Sequence, residues 1–357
     1  MTRIRVSFTI LAMLYLTGCA SIGPSSVARD RFAYTDAISE SWKKQMLLNM
    51  AKIRYGDSPV FLEVASIINQ YGLETEFNAG FSWNDFLPGN TQKIGGRGKY
   101  AERPTVTYQP LMGENFTRSL MTPIPQSGLL SLIESGWRVD TLFRTCIQSV
   151  NGIYNRRAGN MDLFELDPEF YALISSLRKI QESRAVGIRV LETKDKKKKT
   201  VLFFRKKGIR PEIAAEIIKV KKLLVLDLNA QEFTVVYGAL PTNNKEIAML
   251  SRSMLEILLE LSSRIDVPEI HVAENRAFPT FVGSVAEDYD LSPLIRVQSD
   301  TQEPDDAFVA VNYRDYWFWI NDRDLRSKRM FTFLMYLFSL AERGEPKQAP
   351  VITIPTG

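Results

Sequence analysis

Two shortages narrow the function of this chain before any motif is considered. Its 357 residues include two cysteines, Cys19 and Cys146, and a single histidine, His271. One histidine excludes a histidine-rich zinc site and leaves histidine-dependent catalysis one candidate. Ile270-His271-Val272 reads as a short strand or extended stretch, and no Ser or Cys motif flanks it, so a structural histidine is expected. Two cysteines build no disulfide framework, so stability must come from core burial. Cys146 sits among Leu142, Phe143 and Ile147 and is expected to be a buried, inert thiol. Phosphate-loop spacing is also missing. Gly95-Gly96-Arg97-Gly98-Lys99 would need a further glycine where Lys93 stands and Ser or Thr where Tyr100 stands. Asp322-Arg323-Asp324 lacks the later ligands and the glycine of a calcium loop. No cofactor and no metal are expected.

Long apolar runs are scarce as well. Met330 to Ala341 is nearly all apolar but too short to span a bilayer, so it reads as a core helix. Hydrophobic residues make up 45% and charged residues 24%, which suits a folded chain rather than a disordered one. A formal charge of +4 predicts no particular partner.

The richest local signal is at the start. Arg3 and Arg5 precede an apolar core, Val6 to Leu16, and then small residues lead to Cys19. This order predicts a secretory signal peptide over 1–18. Leu16-Thr17-Gly18-Cys19 resembles the lipobox of bacterial lipoproteins, which implies cleavage after Gly18 and lipidation (palmitate among the acyl chains) of Cys19. Residues 19–33 then form a lipidated tether, with Ala20 to Ala28 reaching roughly 30 Å at most.

Periodicity and punctuation predict an α+β protein of mixed helices and short antiparallel hairpins, in two subdomains over 34–158 and 159–345 with a tail at 346–357. No transmembrane helix is expected in the mature chain. A helix with Ile38, Trp42, Met46, Met50 and Ile53 inward stops near Tyr55. Val60 to Gln70 and Leu73 to Trp83 read as a hairpin around Tyr71-Gly72, followed by a Gly-rich loop over 84–103 and a strand from Pro104. Gln126 to Ser135 is a short helix, and Val139 to Tyr154 leans to helix. Asp167-Pro168-Glu169 starts one helix and Pro211 another. Val186 to Glu192 and Thr200 to Lys206 form a hairpin, and Glu232 to Tyr237 a strand. From Asn243 or Asn244, apolar residues at helical spacing run through Ile265. Phe308 to Tyr313 and Tyr316 to Ile320 pair around Arg314-Asp315, and a last helix starts at Asp322 or Asp324. Val351 to Ile354 is a candidate edge strand.

The stretches SWKKQMLLNMAKIRYGDSPVFLEVASIINQY (41–71), RPTVTYQPLMGENF (103–116), EFTVVYG (232–238) and YRDYWFWINDRDLRSKRMFTFLMYLFSLAE (313–342) resemble a family of Gram-negative outer-membrane lipoproteins of unknown function. The resemblance implies an address at the outer membrane, on its periplasmic face, and the extent of the domain. It supplies no catalytic or ligand residue.

Two constellations carry chemistry. Lys194 to Lys222 holds twelve basic residues against three acids. Lys196, Lys197, Lys198, Lys199, Lys206 and Lys207 would form a patch for anionic lipid or another anionic ligand, or else a solvated hairpin tip. Nucleic acid would suit the charge but not a secreted address. In the Tyr313–Trp319 hairpin, alternation puts Trp317 and Trp319 on one face, where they make a stacking platform for glycan rings or part of the core. Asp315, Asp322 and Asp324 are explained by turn and cap roles more simply than by a glycosidase pair. The expected function is that of a lipid-anchored envelope protein with a non-enzymatic structural or protein-interaction role. Its partners would be the membrane, through the lipid, and another envelope protein or a second copy. The alternative is a binding module for anionic lipid or glycan.

Overall fold

The computed structural model describes residues 22–82, 91–155, 167–192, 198–280 and 293–341. The signal peptide, Cys19 and the tail with Val351 to Ile354 lie outside the described residues. The fold is α+β. It divides into a body, up to Pro59 and from Gly113, and a separate unit, Val60–Met112.

The body's main sheet shows why its sequence breaks where it does. Six strands lie in the order β4-β3-β8-β7-β6-β5: β3 (Ile147–Val150), β4 (Ile153–Tyr154), β5 (Val186–Glu192), β6 (Lys198–Phe204), β7 (Glu232–Tyr237) and β8 (Glu246–Ser251). All neighbours are antiparallel except β7 and β8, which run parallel. Strands β3 and β4 come from one side of the boundary expected at 158/159, and the other four come from the other side. That boundary is therefore incorrect, because the β3–β8 ladder joins both halves into one sheet. Residues 156–166 themselves lie outside the described set.

Two expected helices and one expected extended stretch change as well. Val139 to Tyr154 is helix only as far as Cys146 (α4, Val139–Cys146), then turns through Asn151 and Gly152, at φ 47° and 84°, between β3 and β4. Both central residues need positive φ in such a tight hairpin, and Asn-Gly provides it. The helix expected from Asn243 is first β8 and only then α7 (Met254–Ser262). Ile247, Ala248 and Met249 are buried in succession because β8 lies inside the sheet and is covered on both faces. Helix α7 begins at a capping box. The Ser253 amide donates to Glu256 Oε2 at 2.7 Å, and the Glu256 amide donates to Ser253 Oγ at 3.2 Å. His271 sits in a short helix, α8 (Glu269–Ala273), begun by Pro268, and not in a strand.

Other helices form as expected. In α5 (Pro168–Glu182) the Asp167 carboxylate accepts the Glu169 amide at 2.9 Å, with Pro168 in the first turn. Pro211 opens α6 (Pro211–Leu223). Helix α3 spans Gln126–Glu134, where a short helix was expected, and a short α2 (Gly113–Phe116) with a π-helical turn (Thr117–Met121), for which no expectation was made, precedes it. The last carbonyls of α4 are capped from a distance. Arg252 donates to Arg144 O and Thr145 O at 3.2 Å each, and Asn155 Nδ2 donates to Phe143 O, Arg144 O and Ile147 O at 2.9–3.2 Å.

A three-stranded sheet, β10-β11-β9, completes the body: β9 (Gln298–Asp300), β10 (Ala307–Tyr313) and β11 (Tyr316–Asn321). Long α1 (Ile22–Arg54) and α9 (Leu325–Ala341) accompany it. Met46, Leu47, Met50 and Ala51 of α1 are buried, and Trp42 meets Phe331 and Phe338 edge-on. Residues from Ile22 are already helical, so most of the expected tether is helix. Pro24 stands in its first turn, where no backbone donor is lost.

The second unit is a single ribbon. Strand β1 (Leu62–Ser82) pairs antiparallel with β2 (Thr91–Pro110) over its whole length. Tyr71-Gly72 is inside β1, opposite Glu102 and Ala101, and most of the expected Gly-rich loop is β2. The short hairpin around Tyr71-Gly72 is thus replaced by one twice as long. Continued pairing satisfies backbone groups that a loop of that length would leave to water. Residues 83–90 lie outside the described set.

Candidate functional site

A group of ionisable side chains surrounds the end of α1 and the β10–β11 turn. Tyr55, in the turn that ends α1, puts its hydroxyl 2.7 Å from Nδ1 of His271. Tyr316 meets the same imidazole edge-on at 4.9 Å, and Tyr55 meets Tyr313 and Phe318 edge-on at 5.6 and 6.1 Å. Burial pushes the Tyr55 phenol up to about 12. Burial also lowers the His271 imidazole below its ordinary value, and Arg276 adds to that. Outside this packed group, Tyr313 donates to Asp57, and Arg314 reaches the same carboxylate at 3.0 Å. Hydrogen bonds from Tyr313 and Arg314 hold the Asp57 carboxyl below the usual carboxylate range. The Arg314 guanidinium lies 5.0 Å from the Tyr55 ring centroid. These contacts tie the end of α1, α8 and the hairpin together as a lock.

The tight turn that carries Arg314 and Asp315 has φ values of 52° and 67° at those residues. Asp324 caps α9, bonding the Ser327 amide at 3.0 Å and the Ser327 hydroxyl at 2.6 Å. Asp322 pairs with Lys328 at 2.6 Å. All three acids have the turn and cap roles that explain them without catalysis.

Trp317 and Trp319 stand on the sheet face opposite Phe318 and Ile320. The latter two are buried, whereas both tryptophans are only half-buried. Their register neighbours on β9 are Asp300 and Gln298. Near the same sheet edge, Arg296, Gln298, Asn321, Arg323 and Arg326 line an open polar cleft of about 420 Å³ at the start of α9. Sequence reasoning missed this cleft, because its arginines come from two distant stretches, Arg296 before β9 and Arg323 with Arg326 at the start of α9.

The basic patch is placed differently from its expectation. Lys194, Lys196 and Lys197 lie outside the described residues. Lys198 and Lys199 open β6, while Lys206 and Lys207 follow its end. The five strand steps from Lys199 to Phe204, at about 3.3 Å each, put about 17 Å of strand between the two groups. Lys221 is no part of a surface patch. It is buried and donates to Leu228 O at 3.0 Å and Ala230 O at 2.6 Å. Cys146 is fully buried and free, and desolvation pushes its thiol far above the usual range. Among the described residues, no group of three or more His, Cys, Asp or Glu could hold a metal ion, and no helix is long and apolar enough to cross a membrane.

No protein-family model matches the chain, and no curated protein or solved structure matches it.

Proposed function

We propose that this chain is a lipid-anchored envelope protein held at the periplasmic face of the outer membrane, with a non-enzymatic structural or protein-interaction role. The observation that carries it is the basic, apolar and small-residue order of Arg3 to Gly18 ahead of Cys19. The lock around His271 supports the non-enzymatic part, because the imidazole is buried, bonded through Nδ1 to Tyr55 and packed against the Tyr55 and Tyr316 rings. The partners are the membrane, through the lipid on Cys19, and another envelope protein or a second copy of the chain; nucleic acid is not among them. In cells, the N-terminal peptide should begin at Cys19 and carry acyl mass. Cys19→Ser should abolish that mass and leave the leader uncleaved. A wild-type peptide that begins elsewhere, or carries no acyl chain, would sink the anchor.

The half-buried Trp317 and Trp319 favour a second reading, in which the β10–β11 face stacks glycan rings. Envelope oligosaccharides should then quench tryptophan fluorescence, and Trp317→Ala with Trp319→Ala should remove the response. An unchanged response in that variant would rule out the platform.

A further inference from the structure

The open cleft at the start of α9 gathers positive charge. Its walls carry the guanidinium groups of Arg296, Arg323 and Arg326 against one carboxylate, Asp324. Both Asp324 oxygens are engaged inside the first turn of α9, by the amide and the hydroxyl of Ser327. The helix start is thus already capped, and the arginines rather than the helix end make the cleft attractive to an anion. Neighbouring acids are engaged as well. Asp322 is held by Lys328, and Asp306 takes Arg323 Nε at 2.8 Å. Asp300, the acid of β9, accepts the Thr301 and Gln302 amides and the Thr301 hydroxyl of its own loop. Arg296 is exposed and forms no ion pair with a described residue; it acts on Asp266 and Asp324 only through space.

The backbone around the cleft is fixed from both sides. The Arg296 amide donates to Ser327 Oγ at 2.8 Å, so one hydroxyl ties the segment that carries Arg296 to the first turn of α9. Asn321 Oδ1 accepts the Arg323 amide at 2.9 Å and holds the turn that carries Arg323. Ile295 and Val297, on either side of Arg296, are buried, and the Asp266 amide donates to Val297 O at 3.1 Å. Two stretches distant in sequence therefore line one volume with little backbone left to order on binding, which lowers the cost of taking up a ligand. Guanidinium forks bind phosphoryl oxygens in pairs, with charge-assisted hydrogen bonds. At about 420 Å³ the cleft falls in the range of small-molecule sites. Gln298 and Asn321 add carboxamides, which both donate to and accept from hydroxyl groups.

One sheet face joins this cleft to the tryptophans. Gln298 is the register partner of Trp319, and Asn321 stands two residues from Trp319 on β11, so all three side chains share a face. Trp317 is the next residue along it. An anion seated by the arginines brings whatever is attached to it towards Trp319. An indole beside two carboxamides suits a pyranose, whose C–H groups pack on the ring while its hydroxyls bond the amides. We propose that the arginine cleft and Trp319 form one binding site for a phosphorylated sugar, with the phosphoryl group among Arg296, Arg323 and Arg326 and the sugar ring on the indole. The sugar half rests on the stacking reading above; the phosphoryl half does not.

Calorimetric titration of the full chain carrying Cys19→Ser with inorganic phosphate, glucose and glucose 1-phosphate tests both halves. Glucose 1-phosphate should bind several-fold tighter than inorganic phosphate, glucose more weakly than either, and added salt should weaken both phosphates. Arg296→Gln with Arg323→Gln, both at exposed positions, should weaken glucose 1-phosphate at least about tenfold, with circular dichroism unchanged. Trp319→Leu should leave inorganic phosphate as it was and remove the margin of the sugar. Failure of either phosphate to bind, or binding indifferent to the arginine pair, overturns the proposal. Tryptophan quenching as strong with glucose as with glucose 1-phosphate, and the same in the arginine variant, also overturns it, and leaves the stacking reading standing. Phosphatidylcholine vesicles that carry phosphatidic acid separate a free source of the phosphoryl group from a lipid-borne one. Retention on them that the arginine pair abolishes, with no margin of glucose 1-phosphate over inorganic phosphate, would give the cleft to a phospholipid headgroup and rule out the sugar.

Discussion

At the scale of single residues, the one histidine gives stability a readable pH dependence. Burial lowers the His271 imidazole in the folded chain, so between about pH 7 and 5 the unfolded chain, titrating near 6.5, binds more protons than the folded one. The sign follows: the His271 contribution is fully present above the unfolded value and is lost as pH falls through it. Asp266, raised by burial, works in the opposite direction, since the folded state takes up its proton first. Denaturant midpoints should fall from pH 7 to pH 5 in the parent, and His271→Gln should flatten that slope. A slope that survives the substitution would assign it to carboxylates. Cys146 makes a second prediction. Desolvation keeps its thiol protonated, so in the Cys19→Ser chain a water-soluble thiol reagent should find no reactive group at pH 8 until denaturant is added. Asp315, at φ 67° in the β10–β11 turn, makes a third. Asp315→Gly relieves a left-handed backbone and should stabilise the body by about 0.5–1 kcal/mol in urea titrations. A loss of stability instead would show that the Asp315 side chain has work that its turn position does not explain.

Elements in this fold are held by residues far away in sequence, which is why only some of them could be read from it. Where the signal is local, the sequence sufficed: Asp167-Pro168 starts α5, Pro211 starts α6, and Arg314-Asp315 turns the second hairpin. Two local signals were present and outweighed by apolar spacing. Asn151-Gly152 marks the β3–β4 turn, and Ser253-Met254-Leu255-Glu256 is a capping box that places the start of α7 after β8. Ile247 to Leu250 fits a helix face and a buried strand equally, and only the neighbours β3 and β7 decide between them. The same limit hid the His271 lock, whose members come from α1, α8 and β10–β11, and the arginine cleft. Arg252 shows the energetic side of this. It is the largest fully buried side chain described, it supplies donors to the end of α4, and it stands 3.8 Å from Glu260. Arg252→Ala takes the donor from Thr145 O and one of two donors from Arg144 O, and should cost about 1–3 kcal/mol by chemical denaturation. Arg252→Lys should recover only part of it, since one ammonium cannot reproduce the guanidinium's spread of donors.

For the whole molecule, the decisive property is that the chain builds two units with different solutions to the same burial problem. The body encloses its apolar residues between helices and two sheets, with Phe170, Phe233, Phe318 and Phe331 fully buried. The ribbon has only two strands, so it cannot enclose an apolar core by itself. Cutting it short therefore tests how far the stability of the body depends on it. Joining Asn69 to Pro104 through Asn-Gly in place of residues 70–103 keeps the lower ribbon, with its register shift between Val64 and Ser66. The shortened chain should melt within about 2–4 °C of the parent's body transition, a shift that corresponds to about 1 kcal/mol in a domain of this size. Calorimetry reads this outcome directly. A body transition lowered by about 10 °C or more would show that the body draws stability from the ribbon.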